Sequence, residues 1–191
     1  MKNKKAPGVN GITGEINKSS FEIFPSYITA MYNDCLSWKV FPKRWKRAKL
    51  IPITKPGKEN SEDVSKFRPI NLLGTGGKVL ENVLINRNNH HIYSHDFKNT
   101  NQYGFTPRRS TIDAAMDVKY FVVEGLVAGE FIVLVSQDVK GAFDAAWCCS
   151  ILNVLKTCGC PKSLYNLTNI YFSQRTAILS TNSVRMEREV S

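Results

Sequence analysis

The sequence predicts an α+β fold, with helices packed on a small, mostly antiparallel sheet, and three observations predict it. Apolar residues recur at helical spacing in several separated stretches. Segments rich in β-branched residues, chiefly Ala48 to Thr54 and Phe131 to Val135, lie between them. No internal repeat, low-complexity tract or long linker interrupts the series, so 191 residues suffice for one medium domain or two small lobes with a sizeable core.

The elements follow in order. "KAPGVNGITGE" reads as a Gly/Pro-rich loop carrying Lys4 and Lys5. "PSYITAMYNDCLSW" places Ile28, Met31, Tyr32, Cys35 and Leu36 on one helical face. Ala48–Thr54 reads as a strand halted by the turn Lys55-Pro56-Gly57-Lys58, and polar "ENSEDVSK" as a loop. "FRPINLL" is a short extended segment, because Pro69 forces Arg68 away from helical geometry. "GKVLENVLINR" carries Val79, Leu80, Val83 and Leu84 on one side of a helix.

"NQYGFTPRRS" is a turn-rich connection, and Ser110 to Asp113 has the form of a capping box. The helix it opens carries Ile112, Ala115, Met116, Val122 and Val123, and Gly129 ends it. "FIVLVSQ" is a continuous apolar run, which predicts a buried central strand. Two more helices follow, one bearing Cys148, Ile151, Leu152 and Leu155 and stopping at Gly159, the other across "KSLYNLTNIYF". "RTAILSTNSVRMEREV" reads as a hairpin turning at Thr181-Asn182.

The net charge of +10 is unevenly placed: residues 1–68 carry 14 Lys/Arg against 6 Asp/Glu, residues 69–191 carry 12 against 10. A basic first third suits a polyanion such as nucleic acid, or is a solvated basic face. Cys35, Cys148, Cys149, Cys158 and Cys160 form no regular framework, and Cys158-Gly-Cys160 lacks a second Cys/His pair at zinc spacing. With no apolar signal region at the start and no run of membrane-spanning length, the expectation is a reduced, intracellular protein without a membrane partner.

Asp138, at the end of the apolar run in "SQDVKGAFDAAW", has two readings. It is a solvated strand end, or it holds a hard divalent cation such as Mg²⁺ through oxygen, with the Val139 carbonyl beside it. Gly141 and Ala142 leave room for close approach of a substrate, Phe143 projects nearby, and Asp144 suits a helix cap. A lone carboxylate does not hold the two ions, about 4 Å apart, that polymerase-type phosphoryl transfer uses.

"KAPGVNGI", "FPKRWKRAKLIPITKPGK", "FRPINLLGTGGKVLE", "QYGFTPRRSTIDA" and "QDVKGAFDAAW" occur in this order, and each resembles a block of the reverse transcriptases of non-LTR, jockey-like retrotransposons. The resemblance runs from Lys5 to about Ser191. It implies the fingers and part of the palm of a right-hand polymerase, residues 1–100 being fingers-like and 101–191 a partial palm. The implied activity is RNA-directed DNA synthesis from an RNA template and a DNA primer, consuming deoxynucleoside triphosphates with two Mg²⁺ ions. Asp138 matches the first catalytic aspartate, a ligand of both ions assisted by Val139. Phe143 matches the aromatic gate that excludes a 2′-hydroxyl, and Arg68 the arginine that reaches the triphosphate. Lys55 or Lys58 is a second cationic contact, the two not being distinguished. Arg108 and Arg109 lie in the block near the template.

Each residue has a plainer reading. Arg68 pairs with a nearby acid, Lys55 and Lys58 are solvated turn residues, Phe143 is core, and Arg108 and Arg109 are a surface pair. The sequence contains no Tyr-x-Asp-Asp turn, which carries the family's second catalytic aspartate. The expectation is therefore a stretch inactive alone, and the alternative a non-catalytic nucleic-acid-binding remnant. Smaller departures from the pattern are Asn10 for an aspartate, Gln137 for an apolar residue, Arg108 for a glycine, and Asn88-Asn89 in an apolar helix face.

Overall fold

Thr13, extended, accepts a hydrogen bond from the Ile16 amide and so opens the first helix, α1 (Gly14–Ile23), with Glu15 in its first turn. This helix replaces the end of the expected N-terminal loop. The computed structural model describes residues 6–57, 63–95, 97, 99–139, 141–142, 146–180 and 185–190. The helix α2 (Pro25–Ser37) starts on a proline, whose missing amide costs nothing at that position. A 3₁₀ turn at Lys43–Lys46 leads into β1 (Arg47–Thr54), and a second at Val64–Lys66 into β2 (Phe67–Leu73). Then come α3 (Thr75–Ser94), α4 (Thr111–Val127), α5 (Cys148–Thr157), α6 (Lys162–Phe172), β3 (Arg175–Ser180) and β4 (Arg185–Val190).

By compactness the chain divides into Met1–His91 with Trp147–Ser191, and Ile92–Ala146. The first unit holds a four-stranded mixed sheet in the order β2-β1-β3-β4. β1 pairs antiparallel with β2, from Ala48 opposite Leu73 to Thr54 opposite Phe67. β1 pairs in parallel with β3, Lys49 opposite Ile178, and β3 antiparallel with β4, Ile178 opposite Glu187. Two of the three pairings are thus antiparallel. The parallel one is allowed by the long chain between β1 and β3, which no hairpin could supply. The expected turn at Thr181-Asn182 lies outside the described residues.

The core of this unit gathers around Leu80, which is fully buried with Cys35 and Phe41 and packed by Tyr32, Leu36, Trp45, Ile170 and Tyr171. Burying a leucine side chain completely contributes roughly 2 kcal/mol. Lys46 is also buried, and its ammonium donates to the carbonyls of Ile170 and Ser173. It thereby satisfies acceptors at the end of α6 that the helix cannot satisfy itself. Burial pushes its pKa down, with Arg175 and Lys43 adding to the effect. Asn88, an interruption of the α3 apolar face, donates to the Thr168 hydroxyl of α6 at 3.2 Å.

In the second unit, α4 begins with the expected capping box: the Ser110 hydroxyl receives the Asp113 amide, and the Asp113 carboxylate receives the Ser110 amide. Gly129, at φ +74°, closes the helix, and the Glu130 amide donates back to the Gly125 carbonyl at 2.9 Å. The next segment corrects an expectation. Residues 131–139 form no strand, and Phe131, Val133, Leu134 and Val135 are largely exposed. The β propensity of "FIVLV" is insufficient because a strand needs a neighbour to receive its backbone hydrogen bonds, and among the described residues none pairs with it. Only Ile132 is half-buried, with Gly125 of α4 beside it.

Candidate functional site

The described candidate residues fall in both units. In the first, Arg68 sits on β2 opposite Ile53, exposed, with no ion pair among the described residues. Strand alternation puts it on the sheet face that also carries Lys49, Ile51, Ile53 and Ile70. An antiparallel ladder on both sides of Pro69 fixes its backbone, although Pro52 and Pro69 face each other in that ladder.

Lys55 follows β1 directly. Its ammonium donates to the Ser65 carbonyl at 2.7 Å, and its amide to the Lys66 carbonyl at 2.9 Å. These bonds tie the two ends of the β1–β2 connection together, so in this arrangement Lys55 serves the hairpin. Lys58 lies outside the described residues, as does Phe143. Asn10 stabilises its own turn, its side-chain oxygen receiving the Ile12 amide at 3.3 Å.

In the second unit, Arg108 is exposed and has φ +61°, in the left-handed region that favours glycine. An arginine held there carries backbone strain of order 1 kcal/mol. Arg109 is half-buried and lies over the Tyr103 ring, 4.8 Å from its centroid. The Tyr103 hydroxyl in turn donates to Asp117 of α4. Among the described residues Arg108 has no ion pair, and Arg109 is oriented by an aromatic platform.

Asp138 and Val139 are both exposed, at the end of the unpaired segment. Gln137 is exposed as well, so it imposes no buried polar group. An accessible carboxylate next to an accessible backbone carbonyl suits a hard cation in donor type, but supplies two of the six or so oxygens such an ion takes. Among the described residues no group of three His, Cys, Asp or Glu side chains comes together.

Sequence reasoning misses Lys46, whose burial depends on where α6 ends, and the sheet face that Lys49 shares with Arg185. That face exists only once β3 is placed beside β1, more than a hundred residues away in sequence, and periodicity carries no such signal. None of the described helices is long and apolar enough to cross a membrane.

The family profile "Reverse transcriptase (RNA-dependent DNA polymerase)" matches residues 53–189. A "Putative 115 kDa protein in type-1 retrotransposable element R1DM" of Drosophila melanogaster is 29% identical over 191 residues, covering 100% of this chain and 18% of that protein. A "Retrovirus-related Pol polyprotein from type-1 retrotransposable element R1" of Bradysia coprophila is 29% identical over 187 residues, 95% of this chain and 18% of its own length. The "RNA-directed DNA polymerase from mobile element jockey" of Drosophila melanogaster is 28% identical over 185 residues, 95% of this chain and 20% of its length. The chain thus spans about a fifth of these relatives. It belongs to the reverse transcriptase family, on the branch of the non-LTR retrotransposons.

Proposed function

We propose that this stretch supplies the fingers and the first-aspartate part of the palm of an RNA-directed DNA polymerase. The functional boundary lies near residue 100. Its partners are an RNA template, a DNA primer and deoxynucleoside triphosphates. The observation that carries the reading is Arg68, exposed on a laddered strand within the matched region and without an ion pair among the described residues. A planar guanidinium so held can bind two phosphate oxygens at once and meet charge developing on the transferred phosphoryl group.

Asp138 and the Val139 carbonyl would hold Mg²⁺, which when bound supplies Lewis-acid stabilisation of phosphate charge. Two ions are proposed for the complete site, with further carboxylates completing it. Phe143 is proposed as the gate against a 2′-hydroxyl. For the second cationic contact Lys58 is preferred, since Lys55 is engaged by Ser65. Arg108 and Arg109 would bind template phosphates, Arg109 with its orientation set by Tyr103.

The test is primer extension on an RNA template with Mg²⁺. The 191-residue stretch is compared with a chimaera that continues it with the following two blocks of the jockey relative. Incorporation by the chimaera alone, abolished by Asp138→Asn and lowered at least tenfold by Arg68→Ala, is the expected result. Incorporation by the isolated stretch would overturn the prediction that it is inactive alone. RNA binding without incorporation by either protein would favour a non-catalytic nucleic-acid-binding remnant.

A further inference from the structure

The sheet of the first unit has two edges, and they are built differently. The edge at β2 carries Pro69, which has no amide to offer a further strand. β4 forms the other edge with Arg185, Met186, Glu187, Arg188, Glu189 and Val190, none of them proline or glycine. All six are exposed, and among the described residues no strand pairs with the outer side of β4. Such an edge is a template for another strand unless its charges repel one.

Strand alternation puts Arg185, Glu187 and Glu189 on one face of β4, and Met186, Arg188 and Val190 on the other. A second copy of β4 laid antiparallel beside it is related by a two-fold axis perpendicular to the sheet. That axis keeps each face on its own side, so it passes through a residue and never between two.

The charges select which residue. With the axis at Glu187, Arg185 of each copy lies opposite Glu189 of the other, and the pair is made twice. Met186 then meets Arg188, whose aliphatic stem suits it. Glu187 faces its own copy, but each Glu187 is already held by Arg47 at 2.8 Å. An axis at Arg188 opposes Arg188 to itself and Glu187 to Glu189, like charges throughout. An axis at Met186 leaves much of the strand without a partner. The pattern that would guard the edge against other strands is thus complementary to itself in one register. Neither Arg185 nor Glu189 has an ion pair among the described residues, so the new pairs displace none.

From this arrangement we propose that the outer edge of β4 docks a second copy of this chain, with the two-fold axis at Glu187. Two sheets of four strands become one of eight, in the order β2-β1-β3-β4-β4-β3-β1-β2. The faces that carry Arg68 and Lys49 then lie on the same side of the joined sheet. One ladder of six residues is a small interface, so the dimer is weak and forms at high protein concentration. The docking does not use Asp138 and does not depend on the polymerase reading.

The test is sedimentation equilibrium of the 191-residue chain, up to about 0.5 mM and at low salt, where surface charges are least screened. A monomer–dimer equilibrium is expected. Arg185→Glu or Glu189→Arg alone sets two like-charge pairs across the axis and should weaken the dimer by about tenfold or more. Arg185→Glu with Glu189→Arg exchanges the partners and should return the dissociation constant to within about threefold of the wild type. Lys162→Glu, which makes the same charge change as Arg185→Glu at the start of α6, should leave it unchanged. Both β4 positions are exposed, so the variants keep the fold, which circular dichroism checks. A chain that stays monomeric overturns the proposal. So does a dimer indifferent to the single reversals, which an apolar surface such as Phe131 and Val133 would be holding instead. A dimer weakened by each reversal and not rescued by the pair overturns the axis at Glu187.

Discussion

In the sheet-bearing unit Leu80 is 0% exposed, ringed by Phe41, Tyr32 and Trp45, whereas in the other unit Phe131 is completely exposed and Val133 is 82% exposed. Both regions have strand-forming and helix-forming sequence, and the second is the richer in apolar residues. The first brings strands from two distant parts of the chain into one ladder and gathers α2, α3 and α6 around Leu80. The second has, among its described residues, one capped helix and an apolar run without secondary structure. Arg68 rides on a paired strand, so its backbone is placed by neighbours on a rigid support. Among the described residues Asp138 ends a segment without a ladder, and the metal-ligand role proposed for it needs placement to within about half an ångström.

The sharpest way to break this contrast is a pair of truncations. Leu80→Ala leaves a void in a closed core and should cost about 3 kcal/mol in urea unfolding. Val133→Ala should change stability by less than about 0.5 kcal/mol, since the side chain meets water already. A comparable loss at Val133 would show residues 131–135 to be buried in solution and would end the contrast.

A second pair probes backbone crowding. Gly8→Ala drives a carbon into the main chain of Leu73 and Gly74, neither of which can swing aside, and should cost about 2 kcal/mol. Gly104→Ala in the other unit meets nothing within 4 Å and should be silent in the same melt. A silent Gly8→Ala would mean that the N-terminal loop does not rest on β2.

Most of the helices were legible because their signals are local. The Ser110–Asp113 box, the Gly129 stop and the apolar face around Leu80 all act within a few residues. The helix α1 was not foreseen, its start depending on a single threonine cap inside a loop-like run of Gly and Pro. "FIVLV" misled for the opposite reason: its composition describes what a strand would bury, while pairing depends on a partner the run cannot specify. The candidate site was legible as a list, from the resemblance. What the sequence withheld was each residue's company. Lys55 is bound to Ser65, Arg109 is seated on Tyr103, and Arg68 has no acidic partner among the described residues. The left-handed backbone at Arg108 fits the glycine that the family pattern has there.

The smallest expected effects separate the two units by pH. In the sheet-bearing unit, burial pushes the Tyr171 phenol up to about 12, with its hydrogen bond to Glu81 adding and Arg175, stacked on the ring, opposing. A raised folded pKa means the native state keeps a proton that the unfolded chain loses. This contribution is whole below about pH 10 and fades as pH climbs through about 12. Lys46, pushed down by burial, acts in the other direction, gaining stability as pH rises toward the ordinary lysine range. The Tyr171 part is therefore read as the difference between the wild-type and Tyr171→Phe unfolding curves. In the other unit, hydrogen bonds from Ser110 hold the Asp113 carboxyl below its usual value. Its contribution is present above the ordinary carboxylate pKa and is lost as pH falls through the lower folded one, so Asp113→Asn should flatten only the acid limb. If Tyr171→Phe leaves the alkaline limb as steep as in the wild type, the phenol is not the group that the closed core protects. The burial contrast between the two units would then fail at its most specific point.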